Sequence, residues 1–342
     1  MIEKRFNLGM KGSLIKSLLQ RLLPGGEIDA ALADKANVNQ LNNPNLLINW
    51  YLKDPINQRG QNVYTAAGYT IDMLYNRTTN TKLSLTDKGL KIEVTTAPGG
   101  SKNQFVSQRL ENYKELLGKT VTLSWLVTEA QCSGSGLRCY LTASNGVGLN
   151  SQSVGGDVVY VKAPGLYSIT ATLPPSIDYS GINAAFLMHD NSAIGDYVTV
   201  EAWKLELGSV STLAHREGDA WVLNDPPPDP AVELAKCQRY QINLATKASY
   251  QIFGIGRAAS ATSATISAPL PVTMRIATPA LEVDAAKFLL NNTIPVLGMT
   301  LSNASANAAK INVTVAGGLT AGEACFLTNA NNIVPLILNA TL

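Results

Sequence analysis

The sequence predicts a mainly β protein with an N-terminal amphipathic helix, an antiparallel β-sandwich (jelly roll), a linker helix and a second small C-terminal β-sandwich. One observation is the alternation of apolar and polar residues in stretches such as "KTVTLSWLVTEA" and "DYVTVEAWKLEL", which is typical of strands with one buried face. Another is that Gly-, Ser- and Asn-rich turns separate these stretches, as in sandwiches and jelly rolls. The third is one strong helical repeat near the N-terminus.

That repeat lies in "SLIKSLLQRLL", residues 13–23, with Ser13 as a cap and Pro24-Gly25-Gly26 as the end. Its apolar residues recur at three- and four-residue spacing. They are Leu14, Ile15, Leu18, Leu19, Leu22 and Leu23. A bilayer surface, another domain or further copies of the helix could cover them, and oligomerisation or docking is the favoured role. No apolar run approaches the roughly 20 residues of a membrane span, so no membrane insertion is expected.

Four segments follow from this pattern. Residues 1–45 are a helical attachment or oligomerisation segment, and residues 46–222 form the jelly roll. The proline cluster from Pro226 to Pro230 predicts an extended linker, which leads into a short helix, so residues 223–240 are a boundary. Residues 241–342 are poor in charge and contain strands such as "AKINVTVAG", which predicts the second sandwich.

Composition narrows the function classes. The 342 residues are 46% hydrophobic and 15% charged, below the usual charged fraction of about 25%. A packed core with a surface rich in amides and hydroxyls is therefore expected. The 27 basic and 25 acidic residues give a formal charge of +2, and no basic run is present, so no nucleic-acid partner is expected.

Neither a metal site nor a cofactor is expected. The chain has two histidines and four cysteines, and no cysteine pair has CxxC spacing. The favoured interpretation is free thiols in a chain folded in a reducing cytoplasm. A Cys132–Cys139 disulfide across the intervening turn remains the alternative.

Four separate stretches of the sequence resemble segments of a known family. "NPNLLINWYLKDPINQRGQNVYTAAGYTIDMLY" is similar to the opening of a carbohydrate-binding-like jelly roll in tail proteins of tailed bacteriophages and prophages. "KLELG" and "ELAKCQRY" are similar to the end of that domain and the helix after it, and "PLPVTMRIATPAL" resembles another recurrent tail segment. Met73 and Leu74 depart from the family pattern, which usually has Arg and Trp there.

The resemblance implies a phage tail fibre or receptor-binding protein, made in the host cytoplasm and assembled into the virion tail. It implies a homotrimer whose N-terminal part attaches to other tail or baseplate proteins. Residues 241–342 would then be the distal head, and the partner would be a bacterial surface polysaccharide or a teichoic-acid-type glycan. The "NQRG" turn and the "GYT" strand would close one edge of the sandwich, which is a structural role.

Sugar binding needs aromatic platforms and polar groups for hydroxyls. In the jelly roll the main candidates are Tyr140 and Trp221 as platforms, with the loop residues Arg138, Asp190 and Asn191 as polar contacts. Tyr160, Tyr179 and Tyr197 are further possible platforms. In the C-terminal region the amide-rich tips "NASANA" and "TNANN" supply further candidates. These are Asn303, Asn307, Asn329, Asn331 and Asn332.

Catalysis is not expected. His189, Asp190 and Asn191 form the cluster most like an active site, but a polar loop at a strand end is the favoured interpretation. In a regular strand Glu201 and Glu206 face opposite sides, so they do not pair, and no nucleophile, phosphate-binding or zinc-protease motif is present. The alternative to host attachment is a structural baseplate, tail accessory or virion decoration protein, and a polysaccharide depolymerase comes third.

Overall fold

A computed structural model describes residues 43–96, 105–146, 151–155, 159–189, 191–244, 248–330 and 334–341. The N-terminal segment, for which the sequence predicts a leucine-rich helix, lies outside the described residues, as do Asp190, Asn331 and Asn332.

Twelve strands form the sandwich of two antiparallel sheets. In chain order they are β1 (Val63–Tyr64), β2 (Gly68–Tyr69), β3 (Tyr75–Asn76), β4 (Thr81–Thr86), β5 (Gly89–Val94), β6 (Phe105–Arg109), β7 (Thr120–Gln131), β8 (Leu137–Ser144), β9 (Ser151–Ser153), β10 (Gly165–Thr172), β11 (Gly181–Met188) and β12 (Tyr197–Leu207). The first sheet has the order β1-β4-β5-β12-β7-β10, and the second has the order β2-β3-β6-β11-β8-β9. Because the chain passes repeatedly between the sheets, the connectivity is that of a jelly roll, and the expected mainly β, antiparallel architecture is confirmed.

Large aromatic side chains fill the space between the two sheets. Trp203 of β12 stacks on Phe186 of β11 with ring centroids 4.5 Å apart, and both side chains are fully buried. Trp125 of β7 is opposite Trp203 in the first sheet. Burial of such rings supplies the largest apolar areas in a core, so these residues hold the two sheets together.

Strand β12 departs from the regular alternation that the sequence predicts. A β-bulge between Val200 and Ala202 shifts its register against β7, so the face of Glu201 does not determine the face of Glu206. Glu206 is fully buried, and its carboxylate accepts hydrogen bonds from the backbone N and the hydroxyl of Thr212 (2.7 and 2.5 Å). The prediction that Glu201 and Glu206 face opposite sides therefore does not hold in this strand. Glu206 has a structural role instead.

A hairpin and a helix continue the chain beyond the sandwich. The hairpin consists of β13 (Ala214–Glu217) and β14 (Ala220–Leu223). The buried Lys204 donates to Asp225 (2.7 Å) and so secures the start of the linker. Helix α1 (Pro230–Gln238) begins at the predicted proline, and Asp229 caps it by accepting from the backbone N atoms of residues 231 and 232.

The C-terminal region is a barrel rather than the expected sandwich. Its strands are β15 (Gln241–Asn243), β16 (Ile252–Ser260), β17 (Ser263–Pro269), β18 (Ala280–Val283), β19 (Phe288–Leu290), β20 (Ile294–Ala304), β21 (Ala308–Val315), β22 (Ala324–Asn329) and β23 (Leu336–Asn339). Six of them close in the order β16-β17-β21-β20-β19-β22, and β15-β23-β18 form a separate sheet. Closure arises because β22 pairs with both β16 and β19, and period-two alternation is the same in a barrel and in a sandwich.

Two of the stretches that carry the family resemblance, at residues 57–60 and 237–240, meet at a joint between the sandwich, α1 and the β15-β23-β18 sheet. Gln58 of the "NQRG" turn donates to Asp72 (2.6 Å) and to the carbonyl of Gln241 in β15 (2.7 Å), and it accepts from the N atom of Asn243. Arg59 binds Glu282 of β18 through both terminal nitrogens (2.9 and 3.3 Å). The turn therefore contacts the β15-β23-β18 sheet as well as the sandwich.

On the helix side of this joint, the backbone N of Asn49 donates to the buried carboxylate of Glu233 (2.5 Å). Met73, Cys237 and Tyr240 form a small apolar cluster beside it. The Tyr240 hydroxyl donates to Glu111 (2.6 Å). Sandwich, helix and barrel are thus linked by hydrogen bonds and by an apolar contact.

Three further observations concern the described residues alone. None of their helices is long and apolar enough to cross a membrane. They contain no group of His, Cys, Asp or Glu arranged to hold a metal ion. All four thiols are free, and Cys132 and Cys139 are not joined.

Candidate functional site

The outer face of the second sheet, on the side away from the sandwich core, has an unusual arrangement of side chains. Strand register aligns one residue from each of five neighbouring strands in a line across the sheet. We call this line the aromatic row. It consists of Tyr69, Tyr75, Ser107, Ala185 and Tyr140.

The aromatic row has large side chains at its ends and small ones in its centre. Ser107 and Ala185 are buried, whereas the tyrosines are partly exposed. Adjacent strands lie about 4.8 Å apart, so about 14 Å separates Tyr75 from Tyr140 along the row. The row is therefore a trough across the strands, with an aromatic residue at each end.

One end of the trough is next to the barrel side of the joint. Tyr69 and Tyr75 make an edge-to-face contact with ring centroids 5.1 Å apart. Burial raises the pKa of the Tyr69 hydroxyl, which a hydrogen bond with Thr341 partly offsets. This pair is therefore held in place by contacts from β2, β3 and the C-terminal part of the chain.

A second line, which we call the polar row, lies two residues further along the strands. Register places Arg109, Asn183, Thr142 and Ser153 in it. Asn183 is only 4% exposed, and its amide nitrogen donates to the hydroxyl of Ser144 (2.7 Å). Its carbonyl oxygen is buried and has no hydrogen-bond partner. A buried acceptor left in this state costs about 1–3 kcal/mol, so it indicates a position for a hydroxyl group of a ligand or for water.

Arg109 is the charged member of the polar row. Its guanidinium donates to the carbonyl and hydroxyl of Ser144 (3.2 and 3.3 Å) and to the hydroxyl of Ser180 (2.9 Å). A Cβ atom at Gly181 would lie 2.4 Å from one of its terminal nitrogens, so glycine is needed for this close approach. Burial lowers the pKa of Arg109, as expected for a cation removed from water without a carboxylate partner.

Arg138 flanks the aromatic row on its other side. It is opposite Leu187 of β11 in the register, and its guanidinium carbon lies 5.1 Å from the centroid of the Tyr140 ring. The Nε atom is buried and has no hydrogen-bond partner. Arg138 therefore combines a cation–π contact with a donor that no protein group satisfies.

Together these rows provide what saccharide recognition requires. Aromatic rings at both ends of a trough can stack against the apolar faces of sugar rings, and fixed polar groups on both sides can bind their hydroxyls. The described residues of the two rows include no carboxylate and no imidazole.

The sequence predicted part of this face. Arg138 and Tyr140 lie on it, whereas Tyr69, Tyr75, Arg109 and Asn183 were not proposed as binding residues. Asn183 had one detectable signal, since it is the only polar side chain in the strand "GINAAFLM". The two tyrosines belong to the stretch that was assigned only a structural role.

His189 and Asn191 of the predicted loop cluster contact each other and neighbouring residues of the same loop region. Asn191 accepts from the N atom of Ser135 (2.8 Å), donates to the Ser135 hydroxyl (3.0 Å) and contacts the Nδ1 atom of His189 (2.7 Å). The His189 ring lies against Tyr160, with centroids 5.0 Å apart. These contacts fix the loop at the end of β11, as its interpretation as a polar loop predicts.

The other predicted residues lie away from the trough. Trp221 is on the β13–β14 hairpin, where Arg216 covers its ring. Asn303 lines a cleft of about 570 Å³ on the barrel together with Arg257 and Lys310. The exposed Asn307 follows β20 and precedes β21.

Asn329 does not present its amide to solvent, contrary to the expectation for an exposed tip. Its side chain is fully buried, donates to the carbonyl of residue 248 (2.9 Å) and accepts from the N atom of Gln251 (2.8 Å). It fixes the chain that enters β16, because a buried amide is normally satisfied by backbone groups in this way.

No family model matches the chain, and no curated protein matches it. Several solved structures are similar to it in part. One is described as "CBM4 structure and function" (16% identity, 47% of this chain and 98% of that chain, TM-score 0.32). Another comprises the CBM22-1 and GH10 modules of Clostridium thermocellum endo-1,4-β-D-xylanase 10B complexed with xylohexaose (12% identity, 45% and 29% covered, TM-score 0.27).

A third is the CBM22-1-CBM22-2 tandem domain of Paenibacillus barcinonensis Xyn10C (8% identity, 87% and 96% covered, TM-score 0.29). The structures similar to this chain therefore include carbohydrate-binding modules. At TM-scores this low, the likeness assigns neither a ligand nor a binding residue to this chain.

Proposed function

We propose that this protein is a non-enzymatic glycan-binding protein of a bacteriophage tail, and that it attaches to a bacterial surface glycan through the outer face of the second sheet. The observation that carries the proposal is the trough between Tyr75 and Tyr140 beside the unpartnered carbonyl oxygen of Asn183. A ring stacked in the trough would bring its hydroxyls to that oxygen.

Binding without catalysis is favoured because three acidic side chains of the sandwich are engaged in structural contacts. Glycoside hydrolysis needs two free carboxyl groups about 5–10 Å apart. Glu206 is bound to Thr212, and Glu201 lies 3.6 Å from Lys53. Asp196 accepts from Ser133 and from the backbone around it. These acids support the fold, so a depolymerase is the less favoured reading.

The placement in a phage tail rests on the resemblance of the "NQRG", "KLELG" and "CQRY" motifs to tail proteins. A homotrimer attached by its N-terminal segment to other tail or baseplate proteins would offset weak binding by one site, because three copies act together. The proposed location is the virion, and the proposed partner is a surface polysaccharide or a teichoic-acid-type glycan.

One observation favours the alternative role of a structural baseplate, accessory or decoration protein. The motif residues Gln58, Arg59 and Tyr240 are all engaged in the joint, so their presence is explained by architecture alone. The alternative role does not explain the trough. A measurement of glycan binding therefore distinguishes the two functions.

The experiment compares the full chain with Tyr140→Ala and Asn183→Ala in binding to purified host surface glycans, measured by calorimetry. Loss of one stacking ring or one hydrogen bond should weaken binding by about 3- to 30-fold. Tyr160→Ala is the matched control, since this tyrosine is 42% exposed and lies off the trough. If the three variants bind like the unchanged chain, or if no glycan binds, the proposed function is wrong.

A further inference from the structure

Among the described residues, the two rows of the trough and the strand position beside them carry two arginines and no carboxylate. Arg109 lies in the polar row and Arg138 on the opposite side of the aromatic row. The described side chains of these two rows, and of Leu187 and Arg138 beside them, include no carboxylate. The acid nearest in sequence to Arg109 is Glu111, which is bound by Arg239 and Tyr240. The face is therefore cationic.

The two arginines are not equivalent. The terminal nitrogens of Arg109 are occupied by Ser144 and Ser180, so this residue contributes mainly its charge. The buried Nε–H of Arg138 has no acceptor. A guanidinium N–H removed from water without an acceptor is unfavourable, and an anionic oxygen is its strongest partner.

The geometry gives the position of that anionic group. Arg138 is two residues along β8 from Tyr140, about 7 Å at the usual rise, and Asn183 is displaced by a similar distance in the opposite direction. A sugar ring stacked on Tyr140 would therefore direct substituents on one edge toward Arg138. Substituents on the other edge would lie toward the acceptor of Asn183, which binds a hydroxyl and disfavours an anion.

We infer that the glycan bound in this trough is acidic, with a carboxylate or phosphate substituent bound by Arg138 and a hydroxyl bound by Asn183. The inference rests on the proposed function and names its substrate class. Both substituents offer the planar or tripodal oxygen acceptors that a guanidinium binds through two N–H groups. A neutral glycan would leave Arg138 unpartnered.

The test measures binding of three probes by the full-length protein. They are oligogalacturonate, its fully methyl-esterified form as a matched neutral probe, and a glycerol phosphate oligomer. One charge-assisted hydrogen bond predicts at least about tenfold tighter binding of the oligogalacturonate than of its ester. Binding of the glycerol phosphate oligomer instead of oligogalacturonate assigns the anion as phosphate.

Three arginine variants test which arginine causes the preference for the acidic probe. Arg138→Gln should remove most of the preference for the acidic probe, and Arg138→Lys, which keeps the charge, should retain part of it. Arg216→Gln is the matched control because its guanidinium also lies over an aromatic ring, 5.0 Å from the Trp221 centroid, but outside the trough. Circular dichroism verifies that each variant is folded.

The outcomes distinguish failure of the acidic-ligand inference from failure of the proposed glycan-binding function. If acidic and neutral probes bind equally, Arg138→Gln changes neither and Tyr140→Ala weakens both, the inference of an acidic ligand is wrong while glycan binding stands. If Tyr140→Ala and Asn183→Ala leave the binding of every probe unchanged, the trough is not the site and both fall. Loss of the acid preference in Arg138→Gln alone, with Arg216→Gln unaffected, supports the inference.

Discussion

Strand β11 of the sandwich and strand β21 of the barrel are both eight residues long, but they are buried in different ways. In β21 every second residue faces solvent, including Lys310, Asn312 and Thr314. In β11 all eight residues are buried, although Asn183, Ala185 and Leu187 point away from the sandwich core. The barrel strand is an ordinary two-faced strand, whereas the residues of the sandwich strand have low exposure on both faces.

This difference indicates which region of the molecule carries the proposed binding site. An exposed strand face can carry any polar residue at little cost, so Lys310 or Asn312 alone indicates little. An enclosed face normally excludes groups such as Asn183 and Arg109 unless they are satisfied. Their presence in the second sheet, with one acceptor unpartnered, is why the sandwich and not the barrel carries the proposed site.

The two regions also have separate cores, and the largest expected effects test that separation. Trp203→Ala removes a buried ring stacked on Phe186, and Phe288→Ala removes a buried ring 5.1 Å from Phe253 in the barrel. Each should lower the free energy of unfolding of its own region by about 3–5 kcal/mol. Differential scanning calorimetry should show a different transition shifted in each variant. A single transition shifted equally by both would mean that sandwich and barrel unfold as one unit.

An intermediate effect is expected at the joint, through Asp72. Burial outweighs hydrogen bonds from Gln58 and raises the pKa of Asp72 to about 6, against about 3.9 in an unfolded chain. The folded protein therefore binds this proton more tightly, so the stabilisation is fully present below about pH 4 and is lost as the pH rises through 6. The shift corresponds to roughly 3 kcal/mol.

Urea unfolding between pH 4 and 7 measures this dependence. Asp72→Asn should flatten it, at the cost of one hydrogen bond to Gln58, whereas Asp54→Asn on the exposed turn nearby is the control. An unchanged slope in Asp72→Asn would show that other groups cause the pH dependence.

The smallest effect is expected for the ion pair of Arg59 and Glu282 across the joint. Burial disfavours the charged form of Glu282, but hydrogen bonds from Arg59 and Asn339 outweigh it and lower the pKa of this carboxyl. Because the pair is partly exposed, a double-mutant cycle of Arg59→Ala and Glu282→Ala should give a coupling energy of about 1 kcal/mol or less. A coupling near zero, equal to that of the exposed pair Lys287–Asp284, would leave Gln58 as the main link to the barrel.

Part of the binding face could be predicted from the sequence because residue type and strand alternation are local. Tyr140 is predicted as an aromatic platform and Arg138 as a loop residue that supplies a polar contact, and both lie on β8. The aromatic row could not be predicted, because it depends on the register of five strands that are distant in the chain. The same holds for Asn329, whose burial depends on the chain that enters β16.

By itself, the sequence determined the period of the strands, the linker and the start of α1 at Pro230 with its cap Asp229, because these depend on residues close together in the chain. Only the tertiary structure decided that the last strands close into a barrel, that a bulge at Glu201 changes the faces of β12, and that Gln58 joins the sandwich to the β15-β23-β18 sheet. Each of these results depends on pairing between distant segments. A side chain's face and partners follow from that pairing and not from its neighbours in the chain.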